Sequence, residues 1–173
     1  MIGGFALALL LASLLFFLWL NPAGAQTAKD QMTKAGDRDV ISGEPTILDG
    51  DSLEVSGKRF QLYGIDAPEP GELCEKSNGR RLDCGNIART ALLDLTAGIE
   101  VVCEPLGPAS ATAISAHCTA GGFSLNRNMI HTGWALVDRS VTDDFIEVEA
   151  EAKQRRRGLW RYAIKPKPWP ERE

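Results

Sequence analysis

The feature that most limits the fold is a series of three short β-prone runs between residues 46 and 63. Thr46-Ile-Leu and Ser52-Leu-Glu-Val flank the turn Asp49-Gly-Asp, and Ser56-Gly-Lys leads into Arg59-Phe-Gln-Leu-Tyr. Gly, Asp and Ser are the residue types that reverse a chain between strands. This stretch therefore predicts a meander of short strands.

Helical periodicity follows the meander. Residues 86–97 repeat apolar side chains along one face, and Gly98 suits a C-cap. Residues 99–103 and 114–118 read as two further strands. Ser124 is predicted to cap a short helix that runs to Thr132.

A longer helix is predicted at the end of the domain. We expect Asp143 or Asp144 to open it and Gly158 to stop it after Arg157. Short strands with about three helices define a small α+β domain. A five-stranded Greek-key barrel with packed helices is one economical arrangement, although periodicity alone does not establish it.

The first 25 residues carry no charged side chain, and residues 5–20 are apolar except for Ser13. Residues 1–25 are therefore predicted to be a signal peptide or a membrane anchor held by residues 2–20. Ala23-Gly-Ala suits cleavage before Gln26, whereas the missing Lys or Arg ahead of the apolar run favours retention. Either alternative predicts an exported protein, periplasmic or extracellular. We assign residues 26–40 to a flexible linker, 41–169 to the domain and 170–173 to a tail.

Four cysteines, an even number, suit disulfides in an oxidising compartment. Four cysteines allow three pairings, and the sequence alone does not choose among them. Nearest-neighbour pairing would close two short loops. The two histidines lack ligand spacing to each other or to the cysteines, so a zinc site is disfavoured. The cysteines are Cys74, Cys84, Cys103 and Cys118.

The formal net charge of −4 hides a strong segregation. Residues 153–173 hold eight basic and two acidic side chains, which leaves a charge of about −10 on the rest of the chain. An acidic body disfavours a large nucleic-acid footprint, because such binding neutralises phosphates with Lys and Arg. The basic run itself suits a solvated helix end.

The order of short motifs resembles the staphylococcal nuclease family. The resemblance rests on Asp49-Gly-Asp-Ser, then Leu62-Tyr-Gly-Ile-Asp-Ala-Pro-Glu, and then Cys74 and Cys84-Gly. Leu125-Asn, Gly133-Trp-Ala-Leu and Gly158-Leu-Trp extend it through the second half. It implies an OB-type five-stranded β-barrel with packed helices and a calcium-dependent cleavage of phosphodiesters.

Three carboxylates lie in turns or at strand ends of these motifs. Oxygen ligands select hard divalent cations, so calcium is predicted on Asp51 and Asp66, with the Ala67 carbonyl and water. The resemblance points to the same ligands and implies that Glu69 activates or orients the attacking water. Asp49 is predicted to shape the turn. Ordinary turn chemistry is the competing explanation for these acids.

Two arginines of the family pattern are missing. The positions that would carry them hold Gln61 and Ala113, and no Lys or Arg occurs between Arg89 and Arg127. These arginines would neutralise charge that develops on phosphoryl oxygens. Losing one such donor costs about 10²–10³ in rate, so losing both should nearly silence hydrolysis. Arg59 and the loop residues Arg80 and Arg81 are the candidate substitutes.

Three functions of different classes follow. The first is a weakly active or inactive domain that binds a ligand, a protein partner or nucleic acid. The second is an active calcium-dependent nuclease acting on DNA or RNA. The third is a purely structural exported domain without a metal, which an unchanged melting temperature in calcium would identify.

Overall fold

The computed structural model describes residues 40–76, 78–107 and 112–162. Its strands are β1 (Ile41–Gly43), β2 (Pro45–Ile47), β3 (Ser52–Val55), β4 (Lys58–Leu62), β5 (Ile65–Asp66), β6 (Leu73–Glu75), β7 (Arg81–Asp83), β8 (Val101–Pro105), β9 (Ile114–Ala120), β10 (Phe123–Ser124) and β11 (Leu136–Val137). Its helices are α1 (Cys84–Thr96), α2 (Leu125–Thr132), α3 (Ile146–Gln154) and a 3-10 helix at Gly158–Tyr162.

The main sheet curls into a nearly closed barrel of five strands when β1 and β2 are counted as one. The main sheet has the order β1-β8-β9-β4-β3-β2, so its two ends are consecutive pieces of one chain segment. β1 pairs with β8 on one side, and β2 pairs with β3 on the other. Counted as one interrupted strand, β1 and β2 join β3, β4, β8 and β9 to give the predicted five-stranded α+β barrel.

The barrel interior and the inner faces of the helices form the main core. Leu53, Phe60, Leu92, Met129 and Ile130 are fully buried there. Alternation along β4 and β9 places Phe60 and Ala116 inside while their neighbours face outward, as expected for a sheet with one buried face. The outward face of β4 and β9 forms part of the candidate site.

Helix α1 begins two residues before the predicted start. The Asp83 carboxylate accepts a hydrogen bond from the Asn86 backbone N–H, so Asp83 is the N-cap and Cys84 the first helical residue. The helix ends at Thr96, with Ala97 rather than Gly98 in the C-cap position. The predicted Ser124 cap of α2 is confirmed by its bond from the Arg127 N–H at 3.2 Å.

The predicted bounds of the last helix are wrong at both ends. Helix α3 begins after Phe145, which makes no side-chain capping bond, and not at Asp143 or Asp144. Phe145 is 9 % exposed, so its packing in the core sets the start of the helix. The helix ends at Gln154, because Arg156 adopts a left-handed conformation with φ 52° before Gly158 begins the 3-10 turn.

The predicted disulfides are present with nearest-neighbour pairing. Cys74–Cys84 joins β6 to the start of α1, and Cys103–Cys118 links directly opposed residues of β8 and β9. The chain-entropy model gives a stabilisation of about 3 kcal/mol for loops of this length. The first bond ties the β6–β7 hairpin to α1, and the second cross-links two barrel strands.

In the parts of the chain that the structure describes, no helix is long and apolar enough to cross a bilayer. The predicted signal peptide or anchor at 1–25, most of the linker at 26–40 and the tail at 170–173 lie outside the described residues.

Candidate active site

A cleft of about 290 Å³ opens on the outer face of the barrel where β4, β5 and β9 meet the segment after β11. Two carboxylates, one amide and two hydroxyls belong to the side chains of its lining residues. The lining residues are Gln61, Leu62, Tyr63, Gly64, Ile65, Asp66, Ser115, Asp138 and Val141.

Sheet register brings these distant residues together. β4 and β9 run parallel and set Gln61 beside Ser115, while β5 and β11 pair so that Asp66 lies opposite Leu136. The Asp138 backbone N–H then donates to the Gly64 carbonyl at 3.0 Å. The cleft is therefore built on strand ends and a tight turn, which fix side chains more firmly than a free loop would.

The turn before β3 is organised by Asp49. Its carboxylate accepts hydrogen bonds from the backbone N–H groups of Asp51 at 2.9 Å and Ser52 at 2.6 Å, and from the Ser52 hydroxyl. Asp49 is buried, so these bonds offset the cost of removing its charge from water. They agree with the predicted turn-shaping role of Asp49.

Asp51 joins the first motif to the second. Its side chain is buried, and Oδ2 accepts a hydrogen bond from the Ala67 backbone N–H at 2.6 Å. Gly50 makes this approach feasible, because a Cβ there would lie 2.7 Å from the side chains of both Ala67 and Ala88. The structure thus brings Asp51 against the segment that contains Asp66 and Ala67.

Glu69 lies where the second motif meets the start of α1. Its backbone N–H donates to the Glu72 carboxylate at 2.8 Å, and the Glu72 carbonyl accepts from Cys84 and Gly85. A Cβ on Gly85 would lie 1.6 Å from the Glu69 carbonyl oxygen, so this glycine permits the close packing. Glu69 itself is half-buried and does not line the cleft.

The two positions of the missing arginines lie close together on the barrel. Gln61 lines the cleft opposite Ser115, and Ala113 lies two residues ahead of Ser115, immediately before β9. Among the described residues, those that line the cleft include no Lys or Arg.

Arg139, the basic residue next to Asp138 in sequence, is paired with a carboxylate on α3. Arg139 follows Asp138, but its guanidinium pairs with Glu149, whose other carboxylate oxygen accepts from the Val137 N–H at 2.8 Å. Glu149 is buried on α3, so the pair ties that helix to β11. Arg139 is therefore held by Glu149 and is not one of the residues lining the cleft.

The three predicted substitutes also stay outside the cleft lining. Arg59 is exposed on β4 and registers with Glu54, an opposite charge on β3. Arg80 and Arg81 are exposed at the β6–β7 hairpin, where Arg81 registers with Glu75.

The candidate calcium ligands form a small donor set. Within residues 40–76, 78–107 and 112–162, no group of three or more Asp, Glu, His or Cys side chains is arranged to hold a metal ion. The predicted ligand set has only two such side chains, Asp51 and Asp66, because its third member is the backbone carbonyl of Ala67.

Sequence reasoning missed three cleft residues, namely Tyr63, Ser115 and Asp138. Tyr63 donates its hydroxyl to the Val141 carbonyl at 3.1 Å, and its ring meets that of His117 edge to face. Strand alternation on β9 would have placed Ser115 on the outer face. No local pattern marks Asp138, because only the β5–β11 pairing brings it to the cleft.

A small barrel whose acidic turn and Asp-Ala-Pro-Glu segment meet beside a surface cleft defines a nuclease-fold domain. Residues 59–162 match the family described as Staphylococcal nuclease homologue. This chain therefore belongs to the staphylococcal nuclease family, whose members are generally calcium-dependent, and the predicted resemblance is confirmed.

Named relatives agree with the family. The chain is similar to the succinoglycan biosynthesis protein ExoI of Rhizobium meliloti (strain 1021), with 34% identity over 80% of this chain and 74% of the relative. It is also similar to an uncharacterized endonuclease of Escherichia coli, with 31% identity over 71% of this chain and 78% of the relative. A similar endonuclease of Escherichia coli O157:H7 is 30% identical over the same shares.

Proposed function

We propose that this chain is an exported nuclease-family domain in which phosphodiester hydrolysis is strongly impaired and binding is the retained function. The observation that carries the proposal is the cleft itself, whose described lining has Asp66 and Asp138 but no Lys or Arg. A phosphodiester gains negative charge as it reacts, and an acidic cleft without a cationic fork raises the energy of that state.

The donor chemistry of the site still suits calcium. Asp51, Asp66 and the Ala67 carbonyl offer hard oxygen atoms, and the bond from Ala67 to Asp51 keeps two of these residues adjacent. Calcium bound there would supply Lewis-acid polarisation of a phosphate oxygen. Gln61 would offer that phosphate a neutral amide in place of a guanidinium.

Export is part of the same proposal. The uncharged apolar segment at the N-terminus and the two disulfides support a location outside the cytoplasm.

An active calcium-dependent nuclease is the second candidate function. The contact of Asp51 with Ala67 and the position of Glu69 beside α1 favour it, and two relatives are named endonucleases.

Hydrolysis of single-stranded DNA by the full-length oxidised protein, in calcium and in chelator, separates the two functions. Negligible cleavage together with a higher melting temperature in calcium supports the first. Rapid calcium-dependent cleavage establishes the second.

A further inference from the structure

The described end of the domain carries a concentrated positive charge that the nuclease site does not use. Residues 153–162 hold five basic and no acidic side chains. They come from the end of α3 and the following 3-10 turn, and we call them the C-terminal basic surface: Lys153, Arg155, Arg156, Arg157 and Arg161.

Part of this surface borders a second cleft, of about 330 Å³. Its lining consists of Thr132, Trp134, Arg157, Gly158 and Arg161, so one tryptophan and two arginines border the same cleft. Pockets of about 300–1,000 Å³ hold small ligands, which places this cleft in the range suited to one nucleotide unit. It shares no lining residue with the cleft that contains Gln61.

The floor of this second cleft is preformed. Leu159 N–H donates to the Gly133 carbonyl at 2.8 Å, and a Cβ on Gly133 would lie 2.4 Å from the Arg157 carbonyl oxygen. Arg157 is anchored by His131, whose ring nitrogens lie 3.1 and 3.2 Å from its Nη1. A ligand would therefore meet a rigid site, which lowers the entropy lost on binding.

Contacts within the described residues offset only part of this positive charge. Glu151 is the one carboxylate paired with this surface among the described residues, with contacts of 3.1 Å to Arg155 and 3.6 Å to Arg157. Arg156 and Arg161 are exposed and have no ion pair within the described ranges. An anionic partner is thus attracted here and repelled by the acidic body of the chain.

We propose that the C-terminal basic surface binds single-stranded nucleic acid. One base would rest against the indole of Trp134. The adjoining phosphates would contact Arg157 and Arg161 at the cleft and the exposed Arg156, which precedes Arg157. An aromatic ring beside guanidinium groups is the arrangement that holds single strands with little dependence on sequence. This binding is independent of hydrolysis in the other cleft, so it holds for either candidate function.

The test is fluorescence anisotropy of a labelled thymidine oligonucleotide with the full-length protein, in chelator so that calcium-dependent cleavage does not intervene. We expect binding at low salt that weakens as salt rises. The double variant Arg156→Glu/Arg161→Glu should lower affinity about ten-fold or more. Its slope of log K against log salt should become shallower by about 1.4, the value for two lost phosphate contacts on a single strand.

Arg80→Glu/Arg81→Glu is the matched control, because it reverses two exposed arginines at the β6–β7 hairpin. It should change affinity by less than the double variant does, with melting temperatures confirming that both variants fold. An equal loss in the two variants would show a general charge effect and overturn the proposal. Absence of binding by the unmodified protein at low salt would overturn it as well.

The role of the base is tested without altering Trp134, which also packs on the core. An abasic oligonucleotide of the same length and charge should bind at least about five-fold more weakly than the thymidine strand, because it has no base to stack on an aromatic ring. Equal affinity for the two strands, or for dextran sulfate, would overturn recognition of a single strand. If Gln61→Ala lost binding while Arg156→Glu/Arg161→Glu bound like the wild type, the nucleic acid would be bound in the cleft that contains Gln61. That result would also overturn the proposal.

Discussion

The Asp51 carboxylate accepts a hydrogen bond from the Ala67 backbone N–H at 2.6 Å, across 16 positions of sequence. This bond joins the turn before β3 to the segment after β5. Both motifs that identify the family therefore meet at one point, although each is ordinary turn chemistry when taken alone. The meeting gives the acidic residues a shared environment and makes a metal site there testable.

Calcium should raise the melting temperature of the oxidised protein by several degrees at saturation, because a ligand that binds the folded state stabilises it. Asp66→Asn should remove most of this shift by taking away one predicted ligand. Asp138→Asn is the control, since Asp138 lines the same cleft without belonging to the predicted ligand set. An equal loss of the shift in both variants would contradict the assigned ligands.

Gly85→Ala should destabilise the fold by about 1–3 kcal/mol through overpacking. Helix propensity alone predicts the opposite sign, but the new Cβ would lie 1.6 Å from the Glu69 carbonyl oxygen. Urea denaturation checks the value. Gly107→Ala is the control, because no atom of the described residues beyond its chain neighbours lies within 4 Å of a Cβ there, and it should be near neutral.

Asn126→Ala should cost about 2–4 kcal/mol in the free energy of unfolding. Asn126 is fully buried, and its amide bonds the Cys118 N–H and the carbonyls of Tyr63 and Ala116, joining α2 to the barrel. Asn128→Ala, on the same helix with one local bond to Ser124, should cost less than half as much. Equal costs would show that the buried amide has no special role.

Asp83→Ala should destabilise the protein near neutral pH and lose its effect in acid. Hydrogen bonds from the Asn86 backbone, and then from its side chain, hold the pKa of the Asp83 carboxyl below its usual value. A lowered pKa in the folded state gives stability that is complete above the unfolded-state pKa and is lost as the pH falls through the folded value.

The stabilities of wild type and Asp83→Ala should therefore begin to converge as the pH falls below about 4, and meet once the pH is below the lowered folded-state pKa of Asp83. A stability difference that stays constant from neutral pH into that range would show that the carboxylate charge makes no contribution to the cap.

Local chemistry was enough to predict much of the frame. Ser124 caps α2 and Gly133 ends it with φ 79°, because each satisfies backbone groups that the helix leaves unpaired. The start of α3 could not be predicted in the same way. The buried ring of Phe145 sets it, and tertiary packing overrides the capping preference of Asp143 and Asp144.

The residues of the candidate site also fall into two groups, those that a local motif marks and those that only strand pairing brings to the cleft. Asp51 and Asp66 are recognisable because they lie inside short, specific motifs. Ser115 and Asp138 reach the cleft through the pairing of β4 with β9 and β5 with β11, which links distant parts of the sequence. Strand alternation gives the outward direction of Ser115, but the pairing that brings Ser115 and Asp138 to one cleft has no local signal.

The most direct measurement compares single-stranded DNA hydrolysis by the full-length oxidised protein and by its Gln61→Arg/Ala113→Arg variant, each in calcium and in chelator. If the missing arginines impair the site, the wild-type rate is near background and the double variant is at least about 10²-fold faster in calcium. Rapid calcium-dependent cleavage by the wild type, with no gain in the variant, would contradict the loss of hydrolysis.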